Sequence, residues 1–375
     1  MQYRRFGNTG VKISALGFGA MRLPELEEKD GSWRIDEEKA LAAIHQAFEL
    51  GVNYIDTAYG YCHGNSEAMV GKALKGWRDR VYVSTKMPTW MVEKTSDYRR
   101  LLEEQLVRLG VDYIDFYHFH ALSRERFENV VLKHKLLDEA QKAKAEGLIK
   151  HISFSFHDEP EVLKELVDVG IFSSLLCQYN LLDRANEEAI AYAHGKGLGV
   201  VIMGPVAGGR LAASSPTIQK LLGERRVSSP ELALRFVLAN PGVSCALSGM
   251  TSAEMVVENA RAASVETPLT SEELTRINLA LEEHKRLAEL YCTGCDYCMP
   301  CPNDVNISLN FRLMNYHRVY GLTEYARNEY QKLGTNGDNK GRKAEDCIEC
   351  GICEELCPQK IEIREQLKET AAALG

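Results

Sequence analysis

The chain has 375 residues, with 45 Lys and Arg against 53 Asp and Glu and a net charge of -8. At roughly 150 residues per domain this length allows two or three domains and rules out a peptide-like scaffold, and the acidic balance argues against nucleic acid as a partner. A composition of 45% hydrophobic and 26% charged residues is that of an ordinary soluble globular protein. The longest apolar stretch, around Val200 to Met203, is far shorter than the roughly 18 residues of a membrane helix, so no membrane span is expected. Arg4 and Arg5 have no apolar run of a signal peptide behind them, which points to the cytoplasm.

In chain order, Tyr3 to Phe6 and Lys12 to Ser14 flank Gly7-Asn8-Thr9-Gly10 and read as a β-hairpin, placed to cap the bottom of a barrel. Eight strand candidates come next: Ala15 to Gly19, Tyr54 to Ala58, Val81 to Lys86, Ile114 to His120, His151 to Phe156, Ser174 to Gln178, Val200 to Met203 and Cys245 to Gly249. Between them run segments with apolar residues at helical spacing, such as Glu37 to Leu50 before Gly51, with further glycine stops at Gly76, Gly110, Gly147, Gly170 and Gly197. Strict strand-helix alternation implies parallel strands, because a parallel neighbour needs a long crossover. Eight such units predict a closed (β/α)8 TIM barrel, with an open doubly wound sheet as the alternative.

After Pro268 the alternation stops, and Thr270 or Ser271 with the following glutamates makes a capping box for a charged helix reaching about Leu290. The expected organisation is a barrel over 1-265, a linker helix over 266-290 and a third, mostly α-helical part over 291-375. Of 11 Cys, eight fall between Cys292 and Cys357, and clustered thiols in a reducing compartment read as metal ligands.

Catalytic groups of such a barrel sit at the C-terminal ends of its strands. Asp56, Lys86 and His120 end the second, third and fourth strands, and Tyr61 follows in the loop after Asp56. A phenol is a weak acid near neutral pH, and a nearby ammonium stabilises its phenolate. Lys86 can do this only if it is kept charged, which suits Asp56, while His120 is placed to hydrogen-bond a substrate oxygen. His118 faces the same side and reads as an interior histidine.

The segment Gly51-Val52-Asn53-Tyr54-Ile55-Asp56-Thr57-Ala58-Tyr59-Gly60-Tyr61, with Gly64-Asn65-Ser66-Glu67, Val83-Ser84-Thr85-Lys86 and Asp112 to His120, resembles the aldo-keto reductase signature over about residues 1 to 265. The resemblance implies a NADH- or NADPH-dependent oxidoreductase acting on an aldehyde or ketone, or on an alcohol in reverse. Tyr61 would be the general acid, Asp56 and Lys86 would tune it, and His120 would place the carbonyl. It further implies cofactor contacts at Ser155, Gln178, Met203, Glu258 and Asn259. Phe156 stands where the family has Asn, Leu176 falls on the usual Gln position with Gln178 two residues on, and Met203 takes the place of a stacking aromatic ring. Gly249 and Met255 replace the Lys and Arg that often grip a 2'-phosphate, which removes two charge-assisted contacts and tilts the expectation to NADH.

Cys347-x2-Cys350-x2-Cys353-x3-Cys357-Pro358 has the spacing of bacterial ferredoxin clusters, and Cys292-x2-Cys295-x2-Cys298-x2-Cys301-Pro302 is one residue shorter in its last interval. The runs resemble a 4Fe-4S ferredoxin-type domain of the kind found appended to one branch of the aldo-keto reductases. By ferredoxin logic, Cys292, Cys295, Cys298 and Cys357 hold one 4Fe-4S cluster and Cys347, Cys350, Cys353 and Cys301 the second. A single cluster and zinc are the alternatives. A nicotinamide gives two electrons together while each cubane moves one, and no flavin motif bridges them. The clusters would therefore fold the tail, sense redox state or take electrons from a ferredoxin-like partner. A cluster-driven electron-transfer reductase or redox sensor whose barrel binds little nicotinamide is the second functional reading.

Overall fold

The computed structural model describes residues 1–28, 33–207, 211, 227–279, 298–318, 320–335, 341–357 and 361–375. The chain divides into two compact units, Met1–Gly209 with Pro230–Leu269, and Arg210–Ser229 with Thr270–Gly375.

The first unit opens with an antiparallel hairpin, β1 (Tyr3–Arg5) on β2 (Lys12–Ser14). β3 (Leu16–Gly19) starts the barrel, and an unanticipated ribbon follows, β4 (Glu25–Glu27) on β5 (Trp33–Ile35). The other barrel strands are β6 (Tyr54–Asp56), β7 (Tyr82–Met87), β8 (Ile114–Leu122), β9 (Ile149–Phe156), β10 (Ser174–Gln178), β11 (Gly199–Met203) and β12 (Cys245–Ser248). They close in the order β10-β11-β12-β3-β6-β7-β8-β9, with parallel pairing. The expected TIM barrel is present and the open sheet is excluded. Gly51, Gly76, Gly110, Gly147, Gly170 and Gly197 all have positive φ, as helix-ending glycines require.

Alternation along each strand sends every second side chain inward. The lower interior is filled by Phe6, Ile13, Tyr54, Phe116, Leu176, Val201, Cys245 and Leu247. Phe6 comes from the hairpin and sets its ring edge-on to Phe116, with centroids 4.7 Å apart, so the hairpin plugs the N-terminal end. The plug depends on Gly199, because a Cβ there would overlap the Phe6 ring. His118 is also interior, wholly buried on β8, and burial pushes its imidazolium down to about 4, with Asp56 opposing the shift without reversing it.

In the second unit, Thr270 opens a helix with a reciprocal capping box: Thr270 N–H donates to Glu273 Oε2 at 2.8 Å and Glu273 N–H to Thr270 Oγ1 at 3.1 Å. The expected end of that helix lies outside the described residues. The helices Ile307–Arg318, Thr323–Lys332 and Ile363–Leu374 bury Phe311, Met314, Tyr330 and Leu367. Among the described residues, no helix is long and apolar enough to cross a membrane.

Two outcomes are expected. Gly199→Ala lowers barrel stability by about 1–3 kcal/mol through overpacking, and in a Phe6→Ala background the same change costs much less. The urea midpoint of tryptophan fluorescence reads this, since Trp33, Trp77 and Trp90 all lie in the first unit, and additive losses would show that the ring is not the obstacle. His118 is kept neutral in the folded chain while the unfolded chain protonates it, so folding stability falls as pH drops below about 6.5 toward 4, by about 1.4 kcal/mol per pH unit from this residue. The stability difference between wild type and His118→Gln should therefore shift in favour of the variant between pH 7 and pH 5, and a difference constant with pH would contradict the assignment.

Candidate active site

β6, β7 and β8 are neighbours in the barrel and bring Asp56, Lys86 and His120 to one rim. The Lys86 side chain is almost fully buried. Its Nζ donates to Asp56 Oδ1 at 2.6 Å, to the Thr57 carbonyl at 2.8 Å and to Tyr61 Oη at 3.2 Å. An ammonium has three N–H groups and no lone pair. All three are used, and Tyr61 Oη must be the acceptor of the third, which leaves the phenol's own proton free to point elsewhere. Burial works against the Lys86 charge, but Asp56 and Tyr61 outweigh it and hold the ammonium above its ordinary range. The other oxygen of Asp56, Oδ2, accepts from Ser84 Oγ at 2.8 Å, which fixes the carboxylate on its side of the barrel.

Tyr61 begins a 3-10 turn, Tyr61–Gly64, in which Cys62 and His63 take left-handed φ values of 49° and 55°. Its ring stands edge-on to His120, with centroids 6.1 Å apart. The Trp90 ring also packs on His120, with centroids 4.9 Å apart. Burial, reinforced by the Lys86 charge, pushes the His120 imidazolium down to about 2, so the ring is neutral, and its buried Nδ1 has no hydrogen-bond partner within the protein. The four residues singled out from the sequence thus come together at one rim, with the phenol O–H and the neutral imidazole on adjoining rings.

Behind them is a polar network that sequence reasoning missed. Glu67 Oε1 accepts from Thr85 Oγ1 at 2.6 Å and from Gln105 Nε2 at 2.5 Å, and Gln105 Nε2 also reaches the Lys86 carbonyl at 3.1 Å. Tyr117 Oη donates to Gln105 Oε1 at 2.7 Å. The network grips β7 at the Thr85 hydroxyl and the Lys86 carbonyl, and burial raises the Glu67 carboxyl despite those hydrogen bonds.

The next three strands carry Ser155, Gln178 and Met203. Ser155 Oγ accepts the Ala121 N–H at 2.7 Å, which leaves its hydroxyl proton to donate. Leu176 belongs to the lower barrel filling, whereas Gln178, two residues on and opposite Met203, stands at the rim. The Gln178 amide lies over Gly204, where a Cβ would come within 2.7 Å of Oε1. A hydroxyl, a primary amide over a bare backbone and a thioether suit an amide-bearing flat ring. Phe156 is buried and offers no polar group. On the helix Ala253–Ala263, Asn259 Nδ2 donates to Ser248 Oγ at 3.1 Å and ties the helix to β12, while Glu258 is exposed.

In the second unit Cys298, Cys353 and Cys357 are buried, Cys301 and Cys347 are half-buried and Cys350 is exposed. Cys292 and Cys295 lie outside the described residues. The loop around Cys347 and Cys350 coils through left-handed Glu349 and Gly351. Burial, then the charges of Glu354, Cys347 and Cys350, raise the Cys353 thiol to about 11. Among the described residues no three such groups close on a single metal ion. Soft thiolates spread around a coil suit a cluster with several iron corners.

The Aldo/keto reductase family model matches residues 15–282, and a 4Fe-4S dicluster domain matches residues 291–362. The chain is 30% identical over 322 residues to L-galactose dehydrogenase of Arabidopsis thaliana, covering 76% of this chain and 96% of that one. It is 27% identical over 311 residues to the NADH-specific methylglyoxal reductase of Escherichia coli, covering 69% and 92%. Among solved structures, the holo form of aldo-keto reductase AKR11C1 from Bacillus halodurans superposes with a TM-score of 0.63 at 31% identity, covering 74% of this chain and 96% of that one. With the barrel, its rim and these matches together, the chain belongs to the aldo/keto reductase family and carries a 4Fe-4S dicluster domain.

Proposed function

We propose that the barrel reduces an aldehyde or ketone with NADH or NADPH, and in reverse oxidises the alcohol, with Tyr61 as the proton donor. The observation that carries this is the Lys86 ammonium held between Asp56 and Tyr61 Oη. When bound, a reduced nicotinamide supplies the hydride that the carbonyl carbon receives. The chain's own residues do the rest. Neutral His120 hydrogen-bonds the carbonyl oxygen and sets it before Tyr61, whose proton passes from Oη to that oxygen as negative charge builds there. Lys86, whose own charge Asp56 preserves, stabilises the phenolate left behind. In the oxidising direction the phenolate takes the proton back.

Ser155 and Gln178 would hold the carboxamide, Met203 would pack on the ring, and Glu258 and Asn259 would stand at the adenosine end. The absence of a basic side chain at Gly249 and Met255, together with the similarity to an NADH-specific enzyme, favours NADH. In the second unit Cys292, Cys295, Cys298 and Cys357 would hold one 4Fe-4S cluster and Cys347, Cys350, Cys353 and Cys301 the other. The ligand spacing and the dicluster match support that reading. The clusters would stabilise this unit or exchange electrons with a ferredoxin-like protein in the cytoplasm.

On protein prepared without air, Tyr61→Phe should lower NADH- or NADPH-linked aldehyde reduction by about 100-fold or more, with NADH binding retained in a fluorescence titration. Unchanged turnover removes Tyr61 from its role, and failure of the wild type to bind either nucleotide removes the hydride reading altogether. Chemical analysis should give about eight iron and eight sulfide per chain, with a paramagnetic signal on reduction. About four of each would leave one cluster.

A further inference from the structure

Arg126 lies on the short helix Arg124–Arg126, just past the end of β8. Its Nη1 donates to the Ala121 carbonyl at 3.0 Å, which moors the guanidinium to the residue that follows His120. Ala121 has a φ of 52°, a conformation disfavoured for a residue with a Cβ, and it sits in a shift of the β8–β9 register between Phe119 and Leu122. Ser155 holds the N–H of this bulge and Arg126 holds its carbonyl.

A guanidinium has five N–H donors, and Ala121 takes one. Among the described residues no carboxylate forms an ion pair with Arg126, although its loop is rich in acid. Those acids face the other way. Arg124 pairs with Glu165 at 2.7 Å, and Arg124, Glu125, Glu128 and Asp158 line a separate outer cavity of which Arg126 is not a wall. On its own side Arg126 has imidazoles for company: burial does most to keep His120 and His157 neutral, and the Arg126 charge adds to it at both rings. Lys86 is already matched by Asp56. The half-buried Arg126 therefore leaves an uncompensated positive charge beside the candidate catalytic histidine, and the chain runs on from it into a π-helical segment, Phe127–Leu132, a winding frequent at functional sites.

We infer that Arg126 binds a carboxylate on the carbonyl substrate while Tyr61 and His120 hold the carbonyl oxygen, so that the substrate class is aldehyde or keto acids. This rests on the carbonyl-reductase reading above. A guanidinium presents paired donors that match the two oxygens of a carboxylate, and a partly desolvated, charge-assisted pair discriminates well against a neutral analogue.

The test compares 4-carboxybenzaldehyde with methyl 4-formylbenzoate, which differ in charge but offer the same aldehyde, using the full chain prepared without air as wild type, Arg126→Met and Arg126→Lys. The wild type should prefer the carboxylate by about tenfold or more in kcat/KM, mainly through KM. That ratio should collapse to about one in Arg126→Met and return in part in Arg126→Lys. A ratio near one in the wild type, or an equal fall for both substrates in Arg126→Met with the ratio intact, overturns the proposal, the second result leaving Arg126 as a clamp on Ala121 alone. Benzoate binding by calorimetry separates the two readings. If no aldehyde is turned over but benzoate binds wild type and not Arg126→Met, carboxylate recognition stands and the reductase reading falls. If benzoate binds neither protein, or both alike, carboxylate recognition falls whatever the turnover.

Discussion

A buried ammonium is the constraint on which the site is built. Removing the Lys86 charge from water is costly unless each of its protons finds an acceptor, and the barrel supplies three: a carboxylate from β6, a main-chain carbonyl one residue later and a phenol from the loop beyond. None of these can move far without stranding the charge. The position of Tyr61 is thereby tied to the register of β6 against β7, where Asp56 pairs with Ser84 and Lys86 lies two residues on. A slip of one residue in β7 would turn Lys86 outward and leave the loop without its anchor.

Around that point the barrel divides the work by strand. β6, β7 and β8 carry the residues suited to proton transfer, and β9, β10 and β11, next in the same direction round the barrel, carry Ser155, Gln178 and Met203. The halves meet at Ala121, whose N–H is held from β9. The Ala121 peptide adds to the β8–β9 pairing a further tie between the strand that aims His120 and the strand that offers Ser155. The network from Glu67 through Gln105 does the corresponding job behind Lys86.

The barrel was legible because its signals are local: runs of β-branched residues, helical spacing and glycine stops such as Gly51, Gly110 and Gly147. Asp56, Lys86 and His120 were legible because strand ends at one rim can be counted from those runs, and Tyr61 because it comes so closely after Asp56. What could not be read depends on contacts between distant parts of the chain. Nothing near Gln105 announces that it meets Glu67 and the Lys86 carbonyl, and nothing near Arg126 says that the neighbouring acids face outward. The β4–β5 ribbon is a different case, since Asp30-Gly31 between its strands is a turn signal that could have announced it. The 4Fe-4S domain was legible from the spacing of the thiol runs, but which thiols would share a cluster depends on the path of the chain through Cys292 and Cys295, outside the described residues.

The hairpin plug has a consequence for water. Phe6, Tyr54 and Phe116 are fully buried and pack ring against ring below the site, which closes the floor of the barrel. In the proposed reaction, a proton that left Tyr61 with the product would not be replaced through that floor. It would come back through the mouth by which the product departs, so that reprotonation of the phenol and clearing of the pocket would be successive uses of one opening.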